Sequence, residues 1–166
     1  MIVVTFISIF FLSRLGRWMD RYGIKKMMYL DALTFIIIYI IYGFVVLGIV
    51  EGVLPDHGWS VGFIYLLYIC DRLSMQIGMV NSIYLKSIAV NPEEITATLS
   101  TGISLDHFVS ITAALAGGVV WATWGSHWVF FLAAVFSLGN LYVAIKVQPE
   151  KEQEEARINR EQLNQK

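Results

Sequence analysis

Apolar residues run along this chain in long blocks separated by short polar punctuation, and that rhythm predicts its elements. From Met27 to Val50 the only side chains of clear polarity are Asp31 and Thr34. A helix needs about 20 apolar residues to cross roughly 30 Å of hydrocarbon, so this block predicts a first complete span over 27–50. Three more follow at about 61–83, 96–121 and 128–147. Met1–Leu12 is equally apolar but shorter. At about 1.5 Å per residue it reaches roughly 18 Å, too little to cross. No cation precedes it and Arg14 and Arg17 follow it, which is not the order of a secretory signal. It reads as the cytoplasmic end of a longer helix, a partial span over 1–14, and the chain is expected to be truncated at its N-terminus.

The punctuation assigns sides. Arg14, Arg17, Arg21, Lys25 and Lys26 cluster around one junction with only Asp20 opposing them, and short loops rich in Lys and Arg stay cytoplasmic. The next junction, Glu51–Ser60, carries Pro55, Asp56, His57 and Gly58 but no cation, and so reads as outside. Lys86 marks the third junction as inside. There Asn91 is expected to cap a helix that starts at Pro92, with Glu93 and Glu94 at its positive dipole end. A tight Gly125–His127 turn joins the last two spans. Trp59, Trp121, Trp124 and Trp128 then fall on one membrane face, as an interfacial aromatic belt does. The fold class is all-α, a polytopic transmembrane helix bundle over 1–147. Residues 148–166 are expected as a charged, solvated and partly helical cytoplasmic tail, so both ends are cytoplasmic and the plasma membrane is the expected location.

Composition agrees. Hydrophobic residues make up 57% of the 166 and the mean hydropathy is +0.63, values of a lipid-embedded chain. The net charge of −1 gives no reason to expect nucleic acid. One cysteine, Cys70, excludes a disulfide framework. Neither metal-spaced His and Cys pairs nor a Gly-rich phosphate loop nor a nucleophile elbow is present, so neither cofactor nor enzymatic activity is expected.

Candidate chemistry lies in ionisable residues inside the spans, which are costly there and usually face a bundle interior or aqueous cavity. Helical spacing puts Asp71, Ser74, Gly78 and Asn81 on one stripe of the second span, with Arg72 and Gln76 on the adjacent one. In the third span Gly102, Asp106, Ser110, Ala113 and Gly117 share a face, and His107 stands one position away. Asp71, Arg72, Gln76, Asp106 and His107 are therefore the candidates for lining a polar cavity. The alternative is that they are satisfied groups fixing helix packing.

The basic junction itself, Gly16, Asp20, Arg21, Gly23, Lys25 and Lys26 in the order G-x-x-x-D-R-x-G-x-K-K, resembles the cytoplasmic loop motif of the major facilitator superfamily of secondary transporters. Ala113–Gly118 is similar to the glycine-rich fifth-helix motif of its drug antiporters, with alanines in place of the first Gly and the Pro. Arg72 with Gln76 resembles a fourth-helix motif at one residue longer spacing. The resemblance implies half of a major facilitator-like fold, a C-terminal portion beginning inside the eighth helix. It also implies transport of a small solute or drug, driven by an ion gradient, with Asp20 pairing to cations or a helix N-terminus across the interface between halves. The partners expected are the lipid bilayer, a small-molecule substrate, and the missing N-terminal helices or a second copy. The alternative function is a small integral membrane protein that assembles with a partner and does not transport.

Overall fold

The computed structural model describes the backbone of residues 2–90 and 92–163. Asn91, and with it the cap expected there, lies outside the described residues. Seven helices account for the described chain: α1 (Ile2–Tyr22), α2 (Ile24–Val50), α3 (Trp59–Ile77), α4 (Met79–Ile88), α5 (Pro92–Trp124), α6 (Ser126–Lys146) and α7 (Pro149–Leu163). No strand occurs among the described residues. Four helical stretches are long and apolar enough to cross a membrane: α2, α3 continued by α4 over Trp59–Ile88, residues Ile95–Trp124 of α5, and α6. The chain is thus an all-helical protein with four candidate spans, an integral membrane protein by length and composition.

Helix α2 is the centre of the bundle. It packs most extensively on α6 and next on α3. The α2–α6 contact is close because of Gly43, where a side-chain carbon would run into the Phe131 ring. The adjacent Tyr42 stacks on Phe130, with centroids 5.0 Å apart, and its hydroxyl donates to the Ile64 carbonyl of α3 at 3.3 Å. Around these, Ile38, Val45 and Leu67 form one buried cluster. A second cluster nearer the basic junction joins Leu15 and Met19 of α1, Met27 and Met28 of α2, Ile77, Val80 of α4 and Ala144 of α6.

Two junctions differ from expectation. The basic segment expected as a loop is helical almost throughout. Gly16, Asp20 and Arg21 continue α1, and only Gly23 interrupts, at φ +81°. That backbone is strained for any residue with a Cβ, so one glycine suffices for the whole turn. The second span is also not one uninterrupted helix. It is broken at Gly78, and the Asn81 amide bonds back to the Gly78 carbonyl at 3.1 Å, a tightened three-residue turn that rotates the following face.

The tail is helical over most of its length, and that helix is docked. Residues 149–163 form α7, which lies on α4. Tyr84 donates its phenol to Glu152, Gln153 Nε2 donates to Ser87 Oγ at 2.8 Å, and Arg160 reaches the Ser87 carbonyl at 2.6 Å. Ala156 beneath them is buried. The helix lacks the broad apolar stripe that would have announced docking. One alanine permits the approach and polar side chains hold it. The outward pairs of Arg157 with Glu154 and Glu161 are exposed and contribute little.

Candidate functional site

Two places gather polar chemistry. The first is on α3, at mid-span. Cys70 and Ile64 pack into the α2 cluster around Tyr42, and this turns the neighbouring Asp71 toward the bundle. Asp71 is half-buried. Its Oδ1 is shielded from solvent and has no hydrogen-bond partner. The Tyr39 and Tyr42 phenols of α2 lie within electrostatic reach of the carboxylate. Ser74, one turn on, is buried, but its hydroxyl already donates to the Cys70 carbonyl at 2.9 Å. Gln76 is half-buried. The expected stripe is cut at Gly78, and Asn81 beyond the break is exposed.

Arg72 points the other way. It is exposed, lies over the Tyr68 ring at 5.1 Å from its centroid, and places Nη1 3.3 Å from Met75 Sδ. Neighbours in a helix diverge by about 100°, and no ion pair forms between Asp71 and Arg72. Asp106 and His107 are exposed on α5. That helix packs on α6, touches α4 and shares no substantial interface with α3. Asp71 and Gln76 are thus each half-buried on α3, while Arg72 on α3 and Asp106 and His107 on α5 are exposed.

The second place is the basic junction. A groove of about 840 Å³ is lined by Asp20, Tyr22, Gly23, Lys25, Lys26 and Tyr29 on one side and by Gln148, Glu150, Lys151 and Gln153 on the other. The α1–α2 turn and the start of α7 form its two walls. Lys25 is half-buried and donates from Nζ to the Ile145 carbonyl at 3.4 Å, at the end of α6 where unpaired carbonyls and the negative dipole pole favour a cation. Asp20 and Arg21 are exposed and form no ion pair among the described residues.

One residue outside the expected set belongs with these. Asp31 is buried in α2, near the basic end of the span, and its Oδ1 has no hydrogen-bond partner. A lone carboxylate in an otherwise apolar block was its sequence signal. The Glu152–Tyr84 and Arg160–Ser87 contacts had none, because they join segments 68 and 73 residues apart. Among the described residues no three His, Cys, Asp or Glu side chains converge as metal ligands would. Comparisons with models of protein families, with curated proteins and with solved structures return no match.

Proposed function

We propose that this chain acts in secondary active transport of the major facilitator kind, moving a small solute at the expense of an ion gradient. Its place is the plasma membrane, with the Gly23 turn and α7 on the cytoplasmic side. The observation that carries the reading is Asp71: a mid-span carboxylate, half-buried, with one oxygen shielded and unpartnered between two helices. Burying an unpaired charge is costly, and intramembrane carboxylates of this kind commonly mark ion pathways. In transporters built from helical repeats, the coupling and substrate sites lie near the bilayer midplane. Asp71 would take up a cation from one side and release it to the other, with Tyr39 and Tyr42 forming the wall beside it. The G-x-x-x-D-R-x-G-x-K-K junction supports the same reading through its resemblance to the family's cytoplasmic motif.

The test is reconstitution of the protein in proteoliposomes with a panel of labelled small solutes and an imposed proton or sodium gradient. Gradient-driven accumulation of a solute is expected, with Asp71→Asn abolishing accumulation while solute exchange persists. Accumulation at the parent rate in Asp71→Asn refutes the coupling role, and absence of any gradient-driven flux across the panel counts against transport. A second reading, a non-transporting membrane protein that assembles with a partner, is favoured by the uncovered state of α5.

A further inference from the structure

Within the spans two ionisable side chains of opposite sign lie on surfaces that this chain leaves uncovered. Arg72 is exposed on the side of α3 that also carries exposed Tyr65 and Met75. Asp106 is exposed on α5, whose membrane-crossing stretch contains no fully buried residue. Neither has an ionic partner among the described residues, and exposure to hydrocarbon is unfavourable for both.

The α5 surface continues an interface that already exists. Near its outer end, Gly117 faces Val129 of α6 at van der Waals distance, 3.8 Å from where a Cβ would stand. Helical spacing carries the same stripe back through Ala113, Ser110 and Asp106 to Gly102. All four of those residues are exposed, and a side chain at Gly102 would meet open space. So α5 meets α6 at one end of a small-residue stripe and leaves the rest of it bare. Such stripes let helices approach closely in lipid.

We infer that a second copy of this chain covers this stripe, with Asp106 of each copy paired to Arg72 of the other. The depths agree. Arg72 lies about 20 Å along its helix from Trp59, and Asp106 about 27 Å from Trp124, at about 1.5 Å per residue. Both tryptophans are exposed at the outer ends of their spans. The difference of about 7 Å is within the combined reach of a long arginine stem and modest helix tilt. A two-fold axis along the membrane normal makes the contact self-complementary, so each dimer holds two identical ion pairs. This assembly stands apart from the transport reading, because it rests on exposed charges and not on Asp71.

The experiment measures association of the protein in lipid nanodiscs or dilute detergent by light scattering and by single-molecule subunit counting. The parent is expected to be dimeric. Arg72→Asp alone places Asp opposite Asp at both sites, and Asp106→Arg alone places Arg opposite Arg. Each variant should therefore lose about tenfold or more in its self-association constant, because like charges then meet at both sites. Mixed together, the two variants restore both pairs, and a heterodimer forms with near-parental affinity. The milder Asp106→Asn, checked for parental helicity by circular dichroism, should weaken the dimer without like-charge repulsion. A monomeric parent, single variants that dimerise like the parent, or a folded mixture that stays monomeric overturns the pairing. The readout is mass, so the result is independent of whether any solute is transported.

Discussion

Replacing Gly43 with alanine tests whether α2 and α6 are packed as closely as the structure shows. Inside a helix, Gly→Ala is worth about 1 kcal/mol in favour of alanine. At Gly43 the added carbon collides with the side chain of Phe131. That ring is held between Phe44, at 5.3 Å edge-on, and Trp128, at 6.0 Å, so it has little room to withdraw. Overpacking of this kind costs about 1–3 kcal/mol. The two effects oppose one another, and Gly43→Ala is expected to be destabilising by about 0–2 kcal/mol net. Gly139 supplies the control, because it lies in α6 with nothing within 4 Å of where its Cβ would stand. There only the propensity gain remains, and Gly139→Ala should raise stability by up to about 1 kcal/mol. Reversible unfolding in mixed micelles measures both. Adding Phe131→Leu closes a double-mutant cycle, in which the cost of Gly43→Ala should shrink once the ring is gone. Gly43→Ala as stabilising as Gly139→Ala, with no coupling to position 131, refutes the close α2–α6 packing.

The α7 contact predicts that Tyr84→Phe and Arg160→Ala each weaken docking by about 1 kcal/mol, the net worth of one hydrogen bond. Hydrogen exchange or limited proteolysis confined to residues 149–163 should report the loss, and unchanged protection contradicts the contact. Asp31→Asn keeps the shape of a buried side chain while removing a group that is poorly accommodated as an anion. It should leave thermal stability equal or higher, and a fall of several degrees shows instead that Asp31 holds a partner the protein needs.

How much of this was legible beforehand follows from the physics of each feature. The four candidate spans were readable because lipid demands continuous apolar length, and that demand is local in sequence. Observed helices extend the expected spans by a few residues at most ends, as with α5 at 92–124 against 96–121, since helix ends carry polar residues that hydropathy leaves out. The basic junction was visible as a composition, but its conformation was not. Charge density suggested a loop, whereas a single glycine at positive φ let two helices run almost into one another. Asp71 and Arg72 could be separated by angle alone, because adjacent helical residues diverge. The docking of α7 depends on Tyr84 and Ser87 meeting Glu152, Gln153 and Arg160, and no local pattern encodes a meeting of segments so far apart. Whether Asp71 and Asp106 shared a face of the bundle was likewise a matter of helix arrangement, and the chain places them on helices that share no substantial interface.

The four-span arrangement itself is tested most directly by single cysteines at Lys25, Asp56 and Lys151, introduced after Cys70 is replaced and probed in intact cells with an impermeant thiol reagent. Asp56 is exposed in the junction between α2 and α3, Lys151 is exposed on α7, and Lys25 begins α2. Labelling from outside at position 56, with positions 25 and 151 reached only after the membrane is opened, is the expected result. Labelling of position 25 or 151 from outside, or equal access to all three, contradicts it.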